Sequence, residues 1–331
     1  MPKITVCIPT YNRGHFLRES IQSVLDQTFS DFELLISDNA STDDTPEVVA
    51  SFKDSRIRYY RQPANIGITP NWRFVVSMAN TEFVAPLSDD DLYLPDHLAV
   101  ALAVIDQYPE VAYYTSPAEY FGKNIVGFLR PLAIADTITP QIYFGPEQAV
   151  MFLGNDNPGP MISMVCRKKA LNDTLFWGNP DYLPQDLLIM TQLMVQGGFV
   201  FGNRVTSRFR LHDTNTSVNR QKIAKWRFNC MVWYGIRWLA QFLLERQLCT
   251  IEDIEAHGRH ADSLIGHVIP LVLALGSFDS PPELRDIAKR IFYARKDADQ
   301  FSARFRLARH FGFQTIPIAE KITQIRTGWR P

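Results

Sequence analysis

Three carboxylates stand side by side at Asp89, Asp90 and Asp91, directly after the apolar run 83–87 and Ser88. Adjacent acids repel, and each makes its neighbour harder to ionise, so their placement asks for a reason. A divalent cation is one such reason. Magnesium and manganese prefer hard oxygen ligands, and magnesium commonly bridges one or two carboxylates to the phosphates of a substrate. The simpler reading is helix capping. Asp91 precedes a helix expected to open near Pro95, and acids are favourable at helix starts.

Two further clusters carry polar chemistry at the ends of apolar runs. Pro9-Thr10-Tyr11-Asn12-Arg13 follows the run 4–8. A dinucleotide-binding turn would show Gly-x-Gly here, and this one does not. It offers instead an aromatic ring able to stack on a base and a cation able to reach phosphate. Ser37-Asp38-Asn39-Ala40-Ser41 closes the run 32–36. Its carboxylate can accept hydrogen bonds from a base N–H or from ribose hydroxyls. An ordinary loop and an Asp/Asn turn are the plain alternatives for these two segments.

The elements that must position these residues alternate. Strands are expected at 4–8, 32–37, 57–61, 82–87 and 111–114. Helices are expected at 15–27, after the cap signal at 41–46, at 72–78 and from Pro95 to Ile105. This alternation predicts an α/β fold with a mostly parallel sheet and helices on both faces. The three clusters then sit at the carboxyl ends of strands one, two and four, where such sheets bind ligands. From 115 to 160 the pattern weakens and irregular structure is expected, of the kind that lines a cleft. A strand is expected at 161–167, a helix at 187–195 and a strand-like stretch at 199–211. Beyond residue 219 the spacing is helical, at 226–244, 251–275 and 282–311.

Bulk properties exclude some classes. The 331 residues are 46% hydrophobic with a net charge of −1, which points to a globular chain with a sizeable core and no nucleic-acid partner. No apolar run approaches the ~18 residues that span a bilayer. Cys7, Cys166, Cys230 and Cys249 have neither disulfide-framework nor metal-type spacing, and no signal architecture opens the chain. A cytoplasmic location is expected. The tail from Arg285 sets Arg295, Lys296, Arg304, Arg306 and Arg309 beside Phe292, Phe301, Phe305 and Phe311. Such a helix can rest peripherally on the anionic inner face of a membrane. A solvated helix packed on the catalytic domain is the preferred reading.

The stretch ITVCIPTYNRGHFLRESIQSVLDQTFSDFELLISDNASTDDT, together with NIGITPNWRFVVSMANTEFVAPLSDDDLYLPDHL, resembles the family 2 glycosyltransferases of GT-A fold. The similarity is close over residues 3–110 and looser to about 220. It implies a GT-A catalytic domain over 1–218, with a nucleotide-binding half at 1–110 and an acceptor and catalytic half at 111–218. A helical region over 219–331 would follow. It also implies inverting transfer of a sugar from a nucleotide-diphosphate donor to an acceptor hydroxyl, on a carbohydrate or lipid-linked acceptor. UDP is the favoured nucleotide, with dTDP and GDP as alternatives, and the implied cofactor is manganese or magnesium.

By that resemblance Tyr11 stacks on the base, with Pro9 and Thr10 shaping its pocket and Arg13 near phosphate. Asp38 and Asn39 bond the base or ribose; the family commonly has a second acid where Asn39 stands. Asn71 belongs to the same binding set. The family's Asp-x-Asp falls on Ser88, Asp89 and Asp90. Asp90 is then the metal ligand, Ser88 and Asp89 contact ribose or donor sugar, and Asp91 supports from behind. His212, after Arg208 and Arg210, is expected at the metal or diphosphate. The family's acidic pair before a helix falls on Gln185 and Asp186. Asp186 is the expected catalytic base, with Asp181 in reserve, and helix capping is the alternative role for Asp186.

Two rival functions fit the residues less well. A nucleotide-binding homologue without activity would have lost Asp90 or every candidate base, and neither is lost. A nucleotidyltransferase would usually open with a Gly-rich turn after the first strand, where Pro9-Thr10-Tyr11 stands.

Overall fold

The structure, a computed structural model, describes residues 1–122, 141–143, 160–172, 174, 185–213, 215, 240–241, 243–260, 275 and 281–294. The chain divides into two compact units, one of residues 1–144, 158–180 and 192–218, the other of 145–157, 181–191 and 219–331.

The first unit is built on β1 (Ile4–Thr10), β2 (Phe32–Asp38), β3 (Ile57–Arg61) and β4 (Phe83–Pro86). In β1 the residues Ile4, Val6, Cys7 and Ile8 are all fully buried. A run buried on both faces marks a central strand covered on both sides, and β1 pairs in parallel with β2 and with β4. The eight-stranded sheet runs β3-β2-β1-β4-β9-β6-β10-β8, where β6 is Tyr113–Thr115, β8 Gln141–Tyr143, β9 Val165–Arg167 and β10 Phe199–Phe201. It is parallel except at β9 and β8. The chain goes from β1 to β2 and β3 on one side, then returns to set β4 on the other. That reversal opens a crevice beyond the carboxyl ends of β1 and β4.

Helices α1 (Gly14–Leu25), α2 (Thr45–Ser51), α3 (Ile68–Ser77) and α4 (His97–Ile105) connect these strands. The α1 stripe Leu17, Ile21 and Val24 is fully buried, as its spacing requires. One carboxylate serves the starts of two helices. Asp43 accepts from the Gly14 N–H at 3.0 Å through Oδ2, and from the Thr45 N–H at 3.1 Å and hydroxyl at 2.6 Å through Oδ1. Such caps satisfy N–H groups that a helix leaves orphaned. The turn of α3 begins four residues before the expected 72. Gly67 supplies φ of 92° ahead of it, and Pro70 sits in its first turn, where a missing N–H costs nothing.

A second sheet was not foreseen. Its strands are β5 (Leu92–Tyr93), β7 (Ala118–Gly122) and β11 (Ser207–Leu211), in the order β5-β11-β7. It corrects two expectations. Part of the segment expected to be irregular is the strand β7, and the stretch 199–211 is two strands in two different sheets, β10 and β11. Likewise 161–167 is not one strand. It is a 3-10 turn at Met161–Ser163 followed by β9, and α5 (Lys168–Asn172) continues from it.

In the second unit, α7 (Ile251–His260) packs against α8 (Pro282–Ala294). The α8 stripe Leu284, Ile287, Ala288, Ile291 and Phe292 is buried. Gly258 permits the approach, since a Cβ there would lie 2.4 Å from Ile291 Cδ1. The Nε of Arg290 donates to Glu255 at 2.6 Å beside this contact. In its described part the basic tail packs its apolar face against α7 of the same unit; Arg295 and everything beyond it lie outside the described residues. Among the described residues no helix is long and apolar enough to cross a membrane. Cys7, Cys166 and Cys249 are buried free thiols, while Cys230 lies outside the described residues.

Candidate active site

The antiparallel pairing of β5 with β11 joins Tyr93 to Ser207 and Leu92 to Arg208. It thereby sets the acidic loop 88–91 beside the strand that leads to His212. Asp90 Oδ2 lies 2.9 Å from His212 Nε2, and 3.3 Å from the Asn215 amide nitrogen, which donates to it. The Asn215 amide also donates to the Arg210 carbonyl at 3.0 Å, and its Oδ1 accepts from the His212 N–H at 2.5 Å. The turn after β11 is thus folded onto Asp90. The Phe16 ring packs against the His212 ring with centroids 4.3 Å apart.

Arg13 closes the other side. Its Nη1 is 2.5 Å from Asp90 Oδ2 and 3.2 Å from Asp89 Oδ1. The loop itself is fixed from behind. The Ser20 hydroxyl lies 3.0 Å from the Asp89 carbonyl and 2.8 Å from that of Asp91. Arg210 donates from Nε to the Asp90 carbonyl at 2.8 Å and from Nη2 to Glu19 at 2.9 Å.

Capping does not explain the triplet. The helix α4 has Asp96 at its N-cap and no side-chain cap bond, whereas Asp91 Oδ1 accepts from the Arg210 N–H at 2.9 Å. The other oxygen of Asp91 is buried with no partner among the described residues. The environment splits the three acids. Burial, and then the charge of Asp90, push Asp89 up to about 6 and hold Asp91 well above the usual carboxylate range. Burial works to raise Asp90 too, but the His212 hydrogen bond and the Arg13 charge outweigh it and hold its carboxyl low. Asp90 is therefore the most readily ionised of the three.

A second group of the expected site residues comes together at the ends of β1 and β2. Tyr11 is 43% exposed at the mouth, following buried Thr10 and half-buried Pro9. The loop turns at Asn12, whose φ is 54°. Asn12 N–H donates to the Ser41 hydroxyl at 2.9 Å and its Oδ1 accepts from the Thr42 N–H at 2.7 Å, so the two loops are stitched together. Asp38 is fully buried. Its Oδ1 accepts from the Ser41 N–H at 2.8 Å, its Oδ2 accepts from the Tyr59 hydroxyl at 2.6 Å, and Arg61 Nε stands 3.7 Å from Oδ2. The Asn39 amide donates to Asn65 Oδ1 at 2.9 Å and to the Gly67 carbonyl at 3.1 Å, and accepts from the Ile66 N–H at 2.8 Å. Asn71 exchanges hydrogen bonds with Ser37, through the hydroxyl at 2.6 Å and the carbonyl at 2.9 Å. These three polar side chains hold the mouth's walls in place, and Tyr11 is the group presented outward. Ser88 is half-buried, and its carbonyl accepts from the Asp91 N–H at 3.3 Å.

Asp186 is the second residue of α6 (Gln185–Gly197), and its side chain lies outside the described residues, as does the whole of Asp181. Phe16, Ser20, Glu19, Tyr59 and Arg61 went unnoticed in the sequence. Phe16, Glu19 and Ser20 lie inside the family-like stretch, yet only the i, i+4 spacing of Phe16 and Ser20 hints that one face of α1 looks toward the loop.

Among the described residues no group of three or more His, Cys, Asp or Glu side chains is disposed to hold a metal ion. Asp90 and His212 form a pair of donors, carboxylate and imidazole, of the kind that suits manganese. A cation between them would take its remaining ligands from a diphosphate and water.

Known proteins bear this geometry out at the level of family and fold. The chain is 36% identical over 129 residues to a GalNAc(5)-diNAcBac-PP-undecaprenol beta-1,3-glucosyltransferase of Campylobacter jejuni, covering 38% of this chain and 39% of that protein. The chain spans less than half the length of the curated relatives it matches. The crystal structure of S. aureus TarS 1-349 in complex with UDP-GlcNAc superposes with a TM-score of 0.65 at 16% identity, over 98% of this chain and 92% of that one. The mannosyltransferase PcManGT from Pyrobaculum calidifontis, in complex with GDP-Man and Mn2+, superposes with a TM-score of 0.55 at 16% identity, over 98% and 87%. The fold is the GT-A fold expected from the motifs. The profile of glycosyl transferase family 2 matches residues 5–174, just over half of the chain, and the chain belongs to that family.

Proposed function

We propose that this protein transfers a sugar from a nucleotide-diphosphate donor to an acceptor hydroxyl with inversion at the anomeric carbon. The observation that carries the proposal is the convergence of Asp90, His212 and Arg13 at the mouth of the sheet, beside outward-facing Tyr11. The base would stack on Tyr11. The ribose and diphosphate would lie along the rim between the end of β1 and the loop 88–91, with Ser88 and Asp89 beside the ribose or donor sugar. Asp38, Asn39 and Asn71 would act by holding the pocket's walls.

Asp90 and His212 would hold manganese or magnesium, which when bound neutralises charge developing on the departing nucleoside diphosphate. Arg13 would add a cation on the same side. The acceptor proton needs a base on the opposite face of the sugar, and Asp186 is proposed for it. A boundary near residue 218, between a catalytic domain and a helical region, is proposed with this reading. UDP is the proposed nucleotide, in line with the ligand of the TarS complex. A lipid-linked acceptor is proposed from the undecaprenol carrier in the name of the Campylobacter relative. Contact with the cytoplasmic face of a membrane would follow from that acceptor.

The stereochemistry gives the test. With an α-linked UDP-sugar and a lipid-linked acceptor, nuclear magnetic resonance of the first-formed product should show a β linkage. An α linkage would replace the inverting mechanism with a retaining one.

A further inference from the structure

We propose that Arg13 is a resident counter-ion of the acidic loop that leaves Asp90 when a divalent cation enters and moves to the donor's diphosphate. The proposal rests on the reading of Asp90 as a metal ligand.

Three carboxylates occupy consecutive positions 89–91, and all are buried. In the absence of a cation their ionisation needs compensation from the protein. Arg13 gives it directly, reaching both Asp89 Oδ1 and Asp90 Oδ2 with one nitrogen. The oxygen it holds most closely is the one that also faces His212 Nε2. A cation shared by Asp90 and His212 must therefore approach the oxygen already held by the guanidinium. Two positive charges within a few ångströms repel strongly in a partly buried site, so both cannot keep that position.

The two cationic residues at the loop differ in exposure, 12% for the Arg210 side chain against 23% for that of Arg13. Arg210 is braced by Glu19 and by the Asp90 carbonyl, with its guanidinium carbon 5.1 Å from the Phe16 ring centre and 4.6 Å from that of Phe121. The Arg13 side chain keeps 23% of its surface exposed and stands on the residue just before α1, at the rim. Released from Asp90, it remains beside the crevice into which a diphosphate would come. Arginine suits that second partner, because its planar fork matches phosphate oxygens in pairs. Exchange of this kind would make tight cation binding conditional on the donor.

The experiment measures Mn2+ binding by electron paramagnetic resonance of free Mn2+, without nucleotide, in the wild type, Arg13→Gln, Arg13→Lys and Asp90→Asn. Calorimetric titration of UDP, GDP and dTDP at saturating Mn2+ follows on the same proteins, with uridine as a probe lacking the diphosphate. Circular dichroism checks that each variant is folded. Arg13→Gln should bind Mn2+ alone roughly tenfold more tightly, because one repelled charge is gone. It should bind the preferred nucleoside diphosphate roughly tenfold more weakly, because a charge-assisted contact is gone, and uridine equally well. Arg13→Lys, with its charge kept, should lie nearer to wild type on both.

Unchanged or weaker Mn2+ binding by Arg13→Gln, or changes in Mn2+ and diphosphate affinity of the same sign, would overturn the exchange. If Mn2+ binding depends on Asp90 but ignores Arg13, the exchange alone fails. If Mn2+ binding is absent in both the wild type and Arg13→Gln, or indifferent to Asp90→Asn, the metal assignment fails and takes the exchange with it.

Discussion

Asp90 and His212, 122 residues apart in the chain, meet at 2.9 Å between a carboxylate oxygen and an imidazole nitrogen. Two short strands bring this about. The chain leaving the acidic loop runs antiparallel to the strand entering His212, and the Arg210 N–H ties that strand back to Asp91. The site is thus assembled by the small second sheet, at the edge of the crevice made by the large one.

The exposed ring of Tyr11 gives the first prediction. Tyr11→Ala should weaken binding of the nucleoside diphosphate by about 1–3 kcal/mol, the range typical of base–aromatic stacking. Tyr11→Phe should keep most of the affinity, since the π-face remains. Calorimetry decides it, and an alanine variant with wild-type affinity would remove Tyr11 from the base pocket.

Asp186 opens α6, where a carboxylate can either cap the helix or act as base. Asp186→Asn separates the roles, because an amide oxygen can still accept a capping bond while the amide is a far poorer base. A base predicts normal donor affinity, an unchanged melting temperature and a loss of about 100-fold or more in turnover. A near-normal rate for the Asn variant would pass the assignment to Asp181 or another residue.

His97 gives a pH prediction independent of the site. It is fully buried, its Nδ1 lies 2.8 Å from the Thr206 hydroxyl, and its ring stacks on Tyr93 at 4.0 Å. Burial pushes its pKa down to about 3. In the unfolded chain a histidine takes up its proton near pH 6.5, so between those values the unfolded state binds more protons than the folded one. The stability His97 allows is therefore complete above about pH 6.5 and is lost as the pH falls toward 3. His97→Gln removes the titration. Urea midpoints measured from pH 7 to pH 4 should fall less steeply for the variant than for the wild type, and equal slopes would deny His97 this role.

Much of the frame was legible because β1 and β2 are apolar runs, and Ile57–Arg61 has the bounds expected from its residues. β1 nevertheless runs two residues past its expected end, pairing Pro9 with Ser37 and Thr10 with Asp38. The second sheet was not legible. β5 has two residues and β7 and β11 five each, and their pairing joins segments far apart in sequence, which no local periodicity reports. The residue types of the site were readable, yet their partners were not. The triplet announced a charge problem, but nothing in the sequence said that Arg13 and Asn215 both reach Asp90, or that Ser20 holds the backbone beneath it. Asn39 and Asn71 show the reverse case: residues expected to touch the ligand spend their hydrogen bonds on the loop 65–67 and on Ser37.

On the proposed reading, Asp90 facing His212 makes nucleotide binding depend on a divalent cation. Calorimetric titration of UDP into the wild type and into Asp90→Asn, each with and without Mn2+ at constant ionic strength, puts this to the test. Mn2+ should tighten UDP binding to the wild type by roughly tenfold or more, through ligands shared between Asp90 and the diphosphate. Asp90→Asn should stay folded and lose that gain. Equal UDP affinity with and without Mn2+ in the wild type, or an undiminished Mn2+ effect in Asp90→Asn, would contradict it.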